Sequence, residues 1–273
     1  MNLSFFNLAL AGYLLAGIFY FIQDVFSRQK TGIPILPGKK QLFAKSAAIL
    51  LSMGFIFHTL YIIIRWQKSG HFPAVGMYEA LVFSLWAVAL VYFILKKAYQ
   101  LEFLKIPLSL LAAIGLAYAS TLDQSLKPLL PALKSNWLII HVSSYCLSYG
   151  ALLLSFISSA MYLLFSPKKN ASTTDRLDSL SYKLVLFAFP FLTLGLTTGA
   201  VWAKKAWGSY WSWDPKETFA LTTWLVYALY LHLRLTKNWQ GRKSALLNLI
   251  GFFCVLFTFF GVNYLFKGLH SYL

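Results

Sequence analysis

Residues 3–26 read LSFFNLALAGYLLAGIFYFIQDVF, with one charged side chain, Asp24, in the whole stretch. About 20 consecutive apolar residues are enough to cross the hydrocarbon core of a bilayer as a helix. Seven further runs of the same kind follow at 42–64, 78–95, 106–121, 137–165, 184–203, 218–235 and 246–266. The sequence therefore predicts an all-α, polytopic membrane protein with about eight transmembrane helices.

The composition agrees with a bilayer as the solvent of this chain. Of its 273 residues, 59% are hydrophobic and 12% are charged, and the mean hydropathy is +0.64, which is too apolar for a soluble domain. The loops are short and contain no repeat or low-complexity tract, which predicts a single transmembrane domain over residues 1–273. The two cysteines, Cys146 and Cys254, lie inside apolar runs and form no CxxC motif, so a disulfide or a self-attached c-type haem is not expected.

The net charge of +16 has a topological explanation. The basic residues form short clusters between apolar runs, as the positive-inside rule requires, and we expect no nucleic-acid partner. Sixteen Lys and Arg residues follow the odd-numbered runs, against eight on the other side. This bias predicts both termini and the tryptophan-rich loop on the outer, periplasmic or lumenal, side. The sixteen are Arg28, Lys30, Lys39, Lys40, Lys45, Lys96, Lys97, Lys105, Lys168, Lys169, Arg176, Lys183, Arg234, Lys237, Arg242 and Lys243.

The outer loop at 207–217 reads WGSYWSWDPKE, with three tryptophans and a tyrosine in its first seven residues. Its aromatic residues, Trp207, Tyr210, Trp211 and Trp213, are suited to stacking on a flat conjugated ligand. The alternative is an ordinary interfacial aromatic belt. The compactness of the run, and the histidines in the flanking apolar segments, favour ligand binding.

Two histidines flank this loop at the same predicted membrane surface. His141 lies at the outer start of the fifth run, and His270 follows the outer end of the eighth. Neutral imidazole is a good iron ligand, and two histidines on opposite faces of a porphyrin make a six-coordinate haem. The alternative for each is an interfacial histidine with its hydrogen bonds satisfied. A zinc site is not indicated, because no ligand pair has metal-motif spacing.

A third histidine, His232, lies in the seventh run toward the inner side. An ionisable group within a membrane helix is costly, so we interpret it either as a haem ligand or as a hydrogen-bonded packing residue. His58 and His71 receive no specific role.

Asp214 and the proline after it have the pattern of a helix start, with the carboxylate as N-cap. Lys216 and the nearby Lys204 and Lys205 are available to pair with acidic groups of a ligand.

Three segments together resemble one family. Residues 207–217 resemble the tryptophan-rich "WWD" segment of the haem-handling proteins of cytochrome c maturation. Residues 69–79, SGHFPAVGMYE, resemble the GHFPxSNxYE stretch of the CcsA/ResC branch, and residues 261–272, GVNYLFKGLHSY, resemble its C-terminal segment. The chain departs from the family at 74–76, where Ala-Val-Gly replaces the usual Ser-Asn pair. The resemblance covers nearly the whole chain and indicates the CcsA/ResC family of System II cytochrome c biogenesis.

The resemblance implies a function and a set of site residues. It implies that His141 and His270 are axial ligands of an outer haem b, and that His232 binds haem at an inner site on its way outward. It implies that Trp207, Tyr210, Trp211, Trp213 and Asp214 belong to the outer haem site. A CcsB/ResB-like membrane protein would supply the second inner ligand, and the CxxCH motif of apocytochrome c would receive the haem by thioether attachment. The resulting complex would be a cytochrome c haem lyase (synthase) of the bacterial inner membrane or the thylakoid membrane.

Three other functions are compatible with parts of the sequence. One is a CcmC-like haem transporter or chaperone that hands haem to a separate ligase, although the GHFP-like loop argues against it. Another is a HemX-like regulatory membrane protein. The third is a di-haem electron-transfer subunit, which would need histidine pairs at both membrane surfaces, whereas only the outer pair is visible in the sequence.

Overall fold

A computed structural model describes residues 3–28, 37–74, 76–165, 171–266 and 268–270, without the side chains at 3, 27, 28, 37–40 and 171. Several residues used above lie outside the described residues or have no described side chain. These are Arg28, Lys30, Lys39, Lys40, Val75, Lys168, Lys169, Lys267, Ser271 and Tyr272.

The described residues form eight long helices and no strand. They are α1 (Leu3–Arg28), α2 (Pro37–Ser69), α3 (Gly76–Tyr99), α4 (Lys105–Ala119), α5 (Asn136–Phe165), α6 (Ala171–Trp207), α7 (Pro215–Thr236) and α8 (Arg242–Leu256). The last continues through a π turn, Phe257–Gly261, into a final helical turn, α9 (Val262–Leu265). Single 3-10 turns occur at Leu101–Leu104 and Pro131–Leu133.

Seven of these segments are long and apolar enough to cross a membrane. The remaining helix, α7, has 22 residues but is less apolar, because it carries Lys216, Glu217, His232 and Arg234. The all-α polytopic prediction is confirmed. Helix α6 extends well beyond the predicted run at 184–203, because its first turns are polar and hydropathy marks only the apolar part of a helix.

The chain divides into two compact units, Met1–Lys127 and Pro128–Leu273. The first contains α1–α4. In it, α1 and α2 approach so closely that a Cβ on Gly12 would lie 2.7 Å from the Cα of Gly54. The second contains α5–α8, with α5 packed along α6 and α8. The prediction of one domain over residues 1–273 stays a prediction.

Buried polar contacts fix the loop at 69–79 within the first unit. Arg65 and Glu79 form an ion pair of 2.6 Å, and both side chains are 4% exposed. Arg65 also donates to the carbonyl oxygens of Gln124 and Ser125, at 3.1 Å each. The His71 ring nitrogens lie 3.0 and 3.1 Å from the carbonyl oxygens of Phe72 and Lys127. His71 therefore holds this loop to the segment after α4.

The other histidine of the first unit, His58, is fully buried on α2. Its Nδ1 lies 3.3 Å from the hydroxyl of Tyr13 on α1. This contact joins two helices across a buried interface, which is a packing role.

Candidate functional site

The tryptophan-rich loop ends at the capped start of α7. The Asp214 carboxylate accepts a hydrogen bond from the Lys216 backbone N–H at 2.9 Å. Glu217 reaches back, and its Oε2 accepts from the backbone N–H groups of Ser212 and Asp214, at 2.8 and 3.2 Å. This is a complete capping box with proline at the first helical position, so the predicted helix start is confirmed.

Asp214 has a second set of partners that the sequence pattern did not indicate. His270 Nδ1 lies 2.8 Å from Asp214 Oδ1, and the Leu269 N–H donates to Oδ2 at 2.7 Å. A Cβ on Gly268 would collide with this carboxylate, so glycine permits the close approach of the C-terminal segment. Burial opposes ionisation, but the hydrogen bonds from His270 and the two backbone N–H groups prevail and lower the pKa of Asp214 to about 2.

The ionised Asp214 determines the orientation of His270. An ionised carboxylate only accepts hydrogen bonds, so the proton of a neutral His270 lies on Nδ1. Nε2 then carries the lone pair, and it has no hydrogen bond among the described residues. A histidine held by a carboxylate in this way is the usual arrangement of a metal-binding imidazole.

His141 is oriented by the backbone of α6. Its Nδ1 donates to the carbonyl oxygen of Gly195 at 2.8 Å, which leaves Nε2 without a hydrogen bond in the described part of the chain. Two glycines one turn apart on α6 make room for the rings of α5. A Cβ on Gly199 would lie 2.5 Å from His141 Nδ1, and one on Gly195 would lie 2.8 Å from the Tyr145 ring.

Trp202 of α6 brings the two histidines into one cluster. Its indole is stacked on His141 at 5.8 Å between ring centroids and contacts His270 edge-on at 5.5 Å. Trp207 completes the group, at 4.8 Å from Trp202 and 4.7 Å from His270. Trp202 is 1% exposed, and its Nε1 donates to the carbonyl oxygen of Ala132 at 3.0 Å. We call these four residues the outer cluster, after the side of the membrane that the loop charges predict for this segment.

The rest of the aromatic loop forms an exposed edge beside the outer cluster. Trp211 and Trp213 pack edge-on at 5.7 Å, while Tyr210 and Trp213 are 59% and 69% exposed. Trp213 has φ of +60°, the left-handed region that non-glycine residues rarely adopt and that is common at functional sites. The predicted platform is thus divided: Trp207 joins the histidines, Tyr210 and Trp213 are exposed, and Trp211 is half-buried.

His232 lies far from the outer cluster along the chain. It is 18 residues after Asp214 on the same helix, a rise of about 27 Å. Its side chain is exposed on the surface of α7. The structure therefore brings His141, His270 and Trp207 together and leaves His232 at the opposite end of α7.

One residue of the outer cluster, Trp202, was missed by the sequence analysis. It lies five residues before the tryptophan-rich loop, inside an apolar run. Its spacing from Trp207 gave no signal, because residues five apart in an α-helix project about 140° apart around the axis.

The fold and the site define an integral membrane protein with two oriented histidines at a tryptophan-rich helix junction. The family model described as "Cytochrome C assembly protein" matches residues 74–270. The chain is 44% identical to the cytochrome c biogenesis protein CcsA of Chlamydomonas reinhardtii, over 82% of this chain and 67% of that protein. It is 38% identical to CcsA of Mesostigma viride, over 87% and 91%. The chain belongs to the CcsA family of cytochrome c assembly proteins, and its role is in cytochrome c maturation.

A solved structure shares the fold at lower sequence identity. The cytochrome c haem lyase CcmF superposes with a TM-score of 0.63 and 17% identity, over 99% of this chain. This chain spans about half of CcmF, at 47% of its length. At this identity the likeness concerns the helical architecture alone.

Proposed function

We propose that this protein carries haem b across the membrane and presents it on the outer face for thioether attachment to apocytochrome c. In this proposal it acts as one subunit of a cytochrome c synthase. The observation that carries the proposal is the convergence of His141 and His270 on Trp202. The two histidines are 129 residues apart in sequence, and separate hydrogen bonds hold each Nδ1.

The residues of the outer cluster fit the ligand requirements of haem. The porphyrin supplies four nitrogens, so the protein needs to add only two axial ligands, and two imidazoles with unbonded Nε2 atoms meet that need. The surrounding surfaces of Trp202 and Trp207 are aromatic and apolar, as a macrocycle requires. Bound haem would supply the vinyl groups to which the two cysteine thiols of CxxCH add.

The contribution of this chain is orientation. Asp214 and the Gly195 carbonyl hold a proton on Nδ1 of His270 and His141, which keeps each Nε2 available for iron. The buried indole of Trp202 contacts both imidazole rings and would shield them from water. The surface beside the site, where Tyr210 and Trp213 are exposed and Trp211 is half-buried, would give an apocytochrome access to it. Fixing two reactants in this manner makes their encounter effectively intramolecular.

An inner site accounts for the remaining histidine. We propose that His232 binds haem before it reaches the outer cluster, and that a CcsB/ResB-like partner supplies the other ligand. The exposure of His232 on α7 supports a ligand shared with another chain. The excess of Lys and Arg after the odd-numbered runs supports placing the outer cluster on the periplasmic or lumenal side. The host membrane would be the bacterial inner membrane or the thylakoid membrane.

The synthase proposal is tested by reconstitution in a host without other maturation factors. We expect co-expression with a CcsB-like protein and an exported CxxCH reporter to give haem that stays attached after denaturation. A reporter with both cysteines replaced by alanine is the control and should remain unlabelled. If the reporter matures only when a separate ligase is added, the protein is a haem transporter of the CcmC type, and the synthase proposal fails.

Substitution of Asp214 separates its two roles. Asp214→Asn keeps a good N-cap but lacks the ionised acceptor for His270, whereas Asp214→Ala lacks both. We expect the alanine variant to lose about 1–2 kcal/mol of stability and the asparagine variant much less. Both should bind haem at the outer site about 10–100-fold more weakly, since carboxylate support of a ligand histidine has effects of that size. Thermal unfolding and Soret titration measure the two effects, and full haem affinity in Asp214→Asn would contradict the second role.

A further inference from the structure

Lys216 is a charged residue with a neutral partner. It is the second residue of α7 and is half-buried, and its Nζ donates to the side-chain oxygen of Asn263 at 2.9 Å. No carboxylate forms an ion pair with this ammonium among the described residues. An ammonium withdrawn from water is stabilised far better by an anion than by an amide.

The two nearest carboxylates along the chain have other partners. Asp214 binds His270 and the backbone N–H groups of Leu269 and Lys216. Glu217 directs Oε2 to the backbone of Ser212 and Asp214. Neither carboxylate bonds to the Lys216 ammonium, so its capacity to bind an external anion is retained.

Asn263 fixes the direction of the ammonium. It follows the π turn Phe257–Gly261, and its side-chain N–H group donates to the Phe259 carbonyl oxygen at 2.7 Å. With its nitrogen tied to the backbone, the amide must present its oxygen to Lys216. Turns of the π type within helices occur frequently at functional sites.

The same asparagine lines a small cleft beside His270. The cleft is formed by Asp214, Pro215, Val262, Asn263, Phe266, Gly268 and His270. Lys216 does not line this cleft itself, but its contact with Asn263 places the ammonium beside a cleft that a proposed iron ligand lines. A ligand that reaches both must combine an apolar, iron-containing body with a peripheral anion.

We propose that Lys216, positioned by Asn263, binds a carboxylate of the haem, one of its two propionates, at the outer site. This inference rests on the proposed function. A haem held by Lys216 as well as by His141 and His270 would have one orientation in the site, with its vinyl groups on the side away from Lys216.

The test compares two probes, haemin and haemin dimethyl ester, in which both propionates are esterified. Each is titrated into the full-length protein in detergent, and the affinity is read from the Soret component that is lost in His141→Ala. We expect the wild-type protein to prefer the free acid by about tenfold or more, the size of a charge-assisted hydrogen bond. Lys216→Met should abolish this preference, and Lys216→Arg should retain it.

Lys204 provides the matched control. It is an exposed lysine at the other end of the same loop, and its Nζ donates to the Gly208 carbonyl oxygen at 2.7 Å. Lys204→Met removes the same charge and should keep the preference for the free acid. An unchanged preference in Lys216→Met would overturn the inference, as would an equal loss in Lys204→Met, which would indicate a diffuse basic field.

The outcomes also separate this inference from the proposed function. If His141→Ala and His270→Ala leave the haem spectrum unchanged, the outer site itself is wrong. If those variants change the spectrum while Lys216→Met still discriminates against the ester, only the propionate contact is wrong.

Discussion

Replacing His141 or His270 by alanine is expected to remove the outer haem and to leave the helical fold intact. Each side chain supplies one of the two iron ligands in our proposal. Loss of a residue that only supports a ligand weakens metal binding by up to about 100-fold, so loss of a ligand itself should weaken haem binding by at least that factor. The fold should tolerate the change, because each ring makes one hydrogen bond through Nδ1. Added imidazole should enter the vacated space and restore binding.

The measurement is the Soret spectrum of purified protein, with circular dichroism as the check on folding. His232→Ala is the informative control when haemin is added to the purified protein, so that no transfer from the inner side is needed. His232 lies about 27 Å away along α7, and its loss should leave the outer component in place. A normal haem content in both His141→Ala and His270→Ala, with the fold preserved, would refute the bis-histidine site. Failure of imidazole to rescue either variant would mean that the histidines act through packing.

The helices were predictable from the sequence because the bilayer core offers no water to hydrogen-bond the backbone. Every backbone polar group in the hydrocarbon core needs an internal partner, so long apolar runs become helices whatever their neighbours are. The start of α7 was predictable from local sequence, because Asp is a preferred N-cap residue and Pro is preferred at the first helical position, and Asp214 and Pro215 occupy these positions. The polar first turns of α6 were not predictable from hydropathy, because the helix there continues outside the apolar run.

The candidate site was only partly predictable, because its geometry depends on contacts between distant segments. The order of the runs and the loop charges predicted His141 and His270 at one membrane surface, and the structure brings them into one cluster. Their hydrogen bonds to Gly195 and Asp214 were not predictable, since each bond joins residues more than 50 positions apart. Trp202 was hidden for the same reason, because an indole within an apolar run has the same pattern whether it faces lipid or a pair of histidines.

Gly199→Ala is expected to weaken outer haem binding strongly through a single methyl group. In an ordinary helix this change is favourable, because alanine exceeds glycine in helix propensity by about 1 kcal/mol. Here the new Cβ would lie 2.5 Å from His141 Nδ1 and 2.6 Å from Cε1, well inside van der Waals contact. The imidazole must therefore move away from α6 and give up its hydrogen bond to Gly195. We expect a loss of about 10–100-fold in haem affinity, as for other losses of histidine support.

Gly115→Ala on α4 is the matched control for this substitution. Its Cβ would also meet a side chain at 2.7 Å, but the atoms are the terminal carbons of Leu85, which can rotate away without loss of a hydrogen bond. Soret titration of both variants should therefore show weak haem binding in Gly199→Ala alone, at equal helical content. The added methyl group must displace the His141 ring from α6. Wild-type haem affinity in Gly199→Ala would therefore show that the position of this ring does not matter for haem binding.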